Sequence, residues 1–224
     1  MMEHEKHTDA KDLPYDVSAI RREIGTFFDI LDDQGRKIGG SKHGVYAFFD
    51  YDREPIYVGQ TYEQLRVRIR RHLTNQRTDA VAMNVLDPFE VAEIEIWPLD
   101  DLVESMPDPE IRKNFIDKAE YTVFQRVIKN STLGSVLNEK RIIETETVDL
   151  PLSYRKRIIP DSIFESRKHP DIRLARRART IADLAKVISE RSVSDGLRRT
   201  LLTQARRLEL LASRRLEELG IEKA

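Results

Sequence analysis

The 224-residue chain contains no cysteine. This excludes a disulfide framework, a thiolate nucleophile and a Cys-based zinc site. No apolar run approaches the roughly 20 residues that cross a bilayer. The first fifteen residues, MMEHEKHTDAKDLPY, carry four acidic groups and no hydrophobic segment, which is not the pattern of a secretory signal. Internal repeats and low-complexity tracts are also lacking. What is present is 40% hydrophobic and 34% charged, with a mean hydropathy of −0.52. That composition reads as a soluble globular protein of the cytoplasm, neither disordered nor membrane-bound. The length suffices for one well-buried domain and a second, smaller unit.

A formal net charge of −1 hides an asymmetry. Residues 151–224 hold 18 Lys/Arg against 10 Asp/Glu, a net of +8, whereas residues 1–150 hold 20 against 29, a net of −9. A basic half points to a polyanionic partner, although an arginine-rich helix is more often simply solvated.

Hydrophobic periodicity gives the organisation. DVSAIRREIGTFFDIL (16–31) reads as a helix that Asp16 or Ser18 can cap. The turn-rich stretch DDQGRKIGGSKHG ends it. GVYAFFDY and PIYVG, joined by the polar turn DREP, form a hairpin signature. Residues 61–74 are helical, with Leu65, Ile69 and His72 or Leu73 on one face and Arg66, Arg70 and Arg71 mostly away from it. VAEIEIW alternates as a half-buried strand. Residues 110–129 form a second long helix with Phe115, Ala119, Val123 and Val127 inward. A basic connector with Pro151, Pro160 and Pro170 then leads to two helices near 180–191 and 197–219, the second capped by Ser192 or Ser194. Leu197, Leu201, Leu208 and Ala212 make an apolar stripe suited to packing on the core or on a second copy. The expected organisation is an N-terminal arm and helix (1–41), a core (42–150), and the connector with a helical hairpin (151–224).

Five pieces in order carry chemistry. Gly44-Val45-Tyr46 opens the first strand, and Tyr57-Val58-Gly59 ends the second, its tyrosine eleven residues on. A tyrosine in a strand is usually packing. Here a helix follows with Arg68 and His72 one turn apart on one face. Glu120 then sits in the apolar stretch KAEYTVF, next to Ala119 of the buried stripe, where a carboxylate can aim into a cleft. Asn138 follows in SVLNEK.

Together these residues resemble the GIY-YIG nuclease family, over residues 43–140. The resemblance implies an α/β (α+β) fold with a small antiparallel sheet of three strands flanked by helices, and a site on one sheet face. It further implies that Tyr46, Tyr57, Arg68, His72, Glu120 and Asn138 are catalytic, and that Glu120 holds one divalent ion, Mg²⁺ or Mn²⁺. Phosphodiester hydrolysis builds charge on the phosphate oxygens, which a metal and an arginine stabilise. Glu120 offers the hard oxygen such ions prefer. Arg68 clamps phosphate. The tyrosines orient water and phosphate, and His72 has the intrinsic pKa of a proton acceptor. The spacing of Asn138 from Glu120, 18 residues, is long for the family.

The expected substrate is DNA. Arg66, Arg70, Arg71, Arg176 and Arg177 are the candidates to meet its phosphates, and a homodimer is expected on a two-fold site. With no zinc finger, helix-hairpin-helix or homing-type repeat, and with Arg68 and His72 spaced as in restriction-type members, the reading is a restriction or phage-defence endonuclease. The alternatives are a repair or recombination nuclease and a non-catalytic DNA-binding module.

Overall fold

A computed structural model describes residues 13–73 and 85–222 of the chain. Strand β1 (Gly44–Phe49) is buried at every position. A strand loses the in–out alternation of a one-sided sheet only when both faces are covered. It lies inside a sheet completed by β2 (Pro55–Thr61), β3 (Glu93–Pro98) and β4 (Tyr154–Arg157), in the order β2-β1-β3-β4. Every pairing is antiparallel.

Helices cover both faces: α1 (Tyr15–Phe28), α2 (Leu65–Leu73), a short α3 (Asp100–Val103), α4 (Pro109–Lys129), α5 (Asp161–Lys168), α6 (Pro170–Glu190) and α7 (Asp195–Glu218). Tyr46, Phe48, Ile94 and Ile96 pack against α1, α2 and the α6–α7 hairpin in one cluster. Val45, Ala47, Val58 and Trp97 pack against Ile116, Ala119, Val123 and Val127 of α4 in another. Phe115 is only partly buried, and Ile116 takes the inward place expected for it.

The sheet has four strands, not the three expected. The fourth, Tyr-Arg-Lys-Arg, has no hydrophobic alternation to announce it. It pairs because β3 offers acids where β4 offers bases: Arg155 Nε lies 2.7 Å from a Glu93 carboxylate oxygen, and its guanidinium stacks 3.8 Å from the Phe49 ring centre. The connector prolines are helix starts. Pro170 occupies the first turn of α6, as Pro109 does in α4, and Pro160 immediately precedes α5. At the other end, α1 begins at Tyr15 without a side-chain cap, and Ser194 caps α7.

Helix α7 is rotated from the expected stripe. Gly196, Leu197, Thr200, Thr203, Gln204, Arg207 and Leu211 are its buried residues, while Leu201, Leu208 and Ala212 are half-buried. Electrostatics decides that rotation. Asp50, at the end of β1 and 2% exposed, receives Arg207 (2.5 Å), Arg177 (2.9 Å) and Arg173 (3.4 Å) on one carboxylate oxygen. Glu90 receives Arg176 (2.5 Å), Arg177 (3.0 Å) and Arg173 (3.4 Å). Arg207 also donates to the Pro55 carbonyl at 3.0 Å. The hairpin is therefore fixed to its own sheet, so the stripe that suggested a homodimer is largely engaged within the chain. Among the described residues no helix is long and apolar enough to cross a membrane.

Asp50→Ala leaves three buried guanidinium groups short of a counter-charge, and should destabilise the protein by about 3–5 kcal/mol. The midpoint of denaturant unfolding measures this. A shift equivalent to less than about 1 kcal/mol would mean that the cluster is incidental to folding.

Candidate active site

The β1–β2 register sets the tyrosines. Tyr46 opposes Gly59 and Phe48 opposes Tyr57, so Tyr46 and Tyr57 are diagonal neighbours on one sheet face. Their rings stack at 6.1 Å between centres. A Cβ at position 59 would come within 2.7 Å of the Tyr46 hydroxyl and within 2.7 Å of the Tyr57 ring, so only glycine lets the two phenols lie this close.

Helix α2 adds the next two groups. Its four-residue spacing points Arg68 and His72 at the same hydroxyl: Arg68 Nε donates to Tyr46 Oη at 3.4 Å, and Tyr46 Oη lies 3.1 Å from His72 Nε2. With its acceptor side taken by Arg68, the phenol is placed to donate to His72. Tyr46 is fully buried and His72 nearly so. Burial, with Tyr57 next, holds the Tyr46 phenol well above its ordinary range despite Arg68. Burial opposes the charge on Arg68, but Tyr46, Tyr57 and Glu120 outweigh it and raise its pKa.

An open cleft of about 470 Å³ lies in front of this group, lined among others by Tyr57, Gln60, Tyr62, Arg68, Asp117 and Glu120. The lining comes from β2, the edge strand of the sheet, from α2 above one face, from α4 above the other and from the segment 137–143 that follows α4. The site thus opens along a sheet edge rather than on one face. Glu120 is mostly buried there, and its carboxyl is raised from 4.5 to about 7, by burial first and Asp117 second, with Arg68 opposing. Asp117 lies one turn back on α4 and is held by Lys113 (2.7 Å) and by Gln60 Nε2 (2.7 Å). Gln60 Oε1 is buried and has no hydrogen-bond partner. Tyr62, at the cleft mouth, rises to about 12 through burial and the nearby Asp117 and Glu120.

Asn138 also lines the cleft, but its amide is committed to protein. Oδ1 accepts from Val58 N at 3.1 Å and Nδ2 donates to Val58 O at 2.6 Å, on the free edge of β2. The other expected DNA contacts are mostly turned to protein as well. Arg66 reaches Asp29 and the Phe28 carbonyl, and Arg71 pairs with Glu63. Arg70 is exposed. Arg176 and Arg177 do not face outward, because Glu90 and Asp50 draw their guanidinium groups inward. Asp117 and Gln60 escaped the sequence reading. The only trace of them there was Asp117 one helical turn before Glu120.

The donor set can be tested against a metal ion. Among the described residues there is no group of three or more His, Asp or Glu that could hold one. What the cleft offers is one recessed carboxylate, Glu120, and the orphan amide oxygen of Gln60 in the same lining. Few protein oxygens, all hard, suit a hydrated divalent ion such as Mg²⁺ that also takes substrate phosphate. The residues fit such an ion.

Residues 42–126 match the family model of the GIY-YIG catalytic domain. The matched span contains Tyr46, Tyr57, Arg68, His72 and Glu120, and stops short of Asn138. No curated protein and no solved structure matches the chain significantly.

The raised Glu120 carboxyl makes a prediction about stability in the metal-free protein. Its folded pKa, about 7, lies above the ordinary 4.5. The associated stabilisation is therefore full below about pH 4.5 and is lost as pH rises through about 7. Glu120→Gln removes that loss. At about pH 8 the variant should be more stable than the parent by on the order of 1–3 kcal/mol, and at about pH 4 the two should coincide. Thermal melts in a chelating buffer at the two pH values check this, and equal stability at about pH 8 contradicts it.

Proposed function

We propose, from the premise that this chain carries a GIY-YIG catalytic domain and so acts as an endonuclease on phosphodiester bonds, that Tyr46, Tyr57, Arg68, His72 and Glu120 form one hydrolytic centre cutting DNA, in a restriction or phage-defence role. The observation that carries the reading is the meeting of Arg68, Tyr46 and His72 at a single phenol oxygen, behind a cleft that Glu120 also lines.

Each side chain has a task that its surroundings support. Arg68 keeps a permanent, partly buried charge at the cleft wall and clamps the scissile phosphate. Tyr57 lines the cleft and orients that phosphate. Tyr46, fully buried, stays protonated at neutral pH and holds Arg68 and His72 Nε2 at one oxygen behind the cleft. His72 acts as the acceptor through Nε2. Glu120, with Gln60 Oε1 beside it in the lining, would hold the divalent ion. Such an ion, Mg²⁺ or Mn²⁺, supplies charge neutralisation at the phosphate oxygens. Asn138 positions rather than reacts, since both ends of its amide fasten the cleft rim to β2. The Arg68-x-x-x-His72 pair, converging on one oxygen, supports the restriction-type role over repair.

Glu120→Gln should lower the cleavage rate at least about 10²–10³-fold, with DNA affinity within a few-fold of the parent because affinity comes from phosphate contacts spread over the surface. Mg²⁺ should raise the melting temperature of the parent at about pH 8 and leave that of the variant unmoved. Cleavage of plasmid by the variant at the parental rate would remove the assignment.

Loss of the Tyr46 hydroxyl should act without unfolding the protein. Tyr46→Phe should slow cutting by a similar factor in single-turnover assays, while Arg68→Ala should lose both cutting and part of the affinity. Mapping the ends produced from duplex, branched and single-stranded DNA separates the roles. A discrete band pattern on duplex supports restriction or defence, and cutting confined to branched DNA assigns the enzyme to repair.

A further inference from the structure

The rim of the cleft is built by the residues that follow Leu137, and it is fastened on two sides. Leu137 N donates to the Ile56 carbonyl at 2.7 Å, and Asn138 takes both backbone groups of Val58. On the other side Ser194 Oγ donates to a Glu139 carboxylate oxygen at 2.9 Å. A Cβ at Gly196 would fall 2.0 Å from the Glu139 carbonyl oxygen, so α7 starts in direct backbone contact with the rim and needs glycine there. The C-terminal hairpin is thus continuous with the wall of the catalytic cleft.

Both sides of this junction carry cations without acidic partners. Lys140 and Arg141 line the cleft and are exposed. Arg199 and Arg206 of α7 are exposed, and their seven-residue spacing puts them on one stripe. None of the four makes an ion pair among the described residues, whereas Arg173, Arg176, Arg177 and Arg207 all do. At 1.5 Å of rise per residue, Arg199 and Arg206 stand roughly 10 Å apart along the axis. Measured along a duplex axis, that is about three base-pair rises of B-form DNA at ~3.4 Å each. Asp195, the acid at the head of the stripe, lies in the first turn of α7, where the helix's own N–H groups offset its charge.

We propose that DNA leaving the catalytic cleft runs over Lys140 and Arg141 onto this stripe of α7, where Arg199 and Arg206 hold backbone phosphates. This phosphate track rests on the nuclease reading for the identity of its polyanion. It locates the DNA affinity of the basic C-terminal half in the few arginines that folding leaves outside, rather than in its charge as a whole.

The test is the salt dependence of binding of the full-length protein to a fluorescein-labelled duplex, with Ca²⁺ replacing Mg²⁺. Each phosphate contact contributes about 0.9 to the slope of log affinity against log salt. Arg199→Ala/Arg206→Ala should flatten that slope by about 1.8, Arg199→Lys/Arg206→Lys should restore it, and Arg179→Ala/Lys186→Ala on exposed positions of α6 should leave it at the parental value. Equal melting temperatures guard against a folding defect. An unchanged slope in the first variant overturns the track, as does an equal flattening in the α6 variant, which would mean diffuse charge. If the parent shows the slope but never cuts DNA in Mg²⁺ or Mn²⁺, the nuclease reading fails and the track stands. If the parent cuts and the slope ignores Arg199 and Arg206, the track fails alone.

Discussion

Asp50 sits where the tyrosine hairpin turns, and its two carboxylate oxygens face in different directions. One accepts from the backbone N–H groups of Asp52 (2.8 Å) and Glu54 (3.0 Å) and so shapes the turn between β1 and β2. The other gathers Arg173, Arg177 and Arg207 from α6 and α7. A buried carboxylate is stable only when such partners replace the water it has lost. The turn cannot close as it does without the C-terminal helices, and those helices cannot bury their arginines without the turn. Glu54, in the same turn, accepts from Thr132 N (3.0 Å) and Leu133 N (3.1 Å) beyond the end of α4, tying the helix that bears Glu120 to the same corner.

The cleft inherits its geometry from this arrangement. Its five catalytic candidates come from four elements: Tyr46 from β1, Tyr57 from β2, Arg68 and His72 from α2, and Glu120 from α4. They meet because β2 is an edge strand with a helix above each face. The phenol of Tyr46 is recessed behind Arg68 and Tyr57, in a place where charge is expensive. Glu120 is recessed too, and burial and Asp117 raise its carboxyl to about 7 against the pull of Arg68. Both groups are poised by desolvation, which strengthens any electrostatic contact made inside the cleft.

The same accounting explains why the +8 of residues 151–224 is a poor map of where a polyanion would bind. Four arginines of α6 and α7 neutralise acids of the sheet's own corner, and Arg155 neutralises Glu93. Part of the charge visible in composition is therefore internal. What remains outside includes the exposed side of α7 and the cleft rim.

The sequence by itself determined what local chemistry and spacing can carry. The strand-like runs GVYAFFDY and PIYVG, glycines beside tyrosines, the one-turn spacing of Arg68 and His72, and a carboxylate in an apolar helix pointed to the GIY-YIG core that the family match over residues 42–126 bears out. The longer helices, too, were legible from their periodicity, although the prolines at 160 and 170 read as a connector and open helices Asp161–Lys168 and Pro170–Glu190 instead. Tertiary structure alone decided the rest, because it depends on pairs far apart in the chain. β4 is a strand only because β3 presents Glu93 to Arg155, 62 residues away. Asn138 is a fastener only because it finds the open edge of β2, 80 residues back. Arg177 points inward only because Asp50, 127 residues earlier, draws it there. A residue's own neighbours fix its secondary structure and its chemistry, but the partner that neutralises a charge is chosen by the fold.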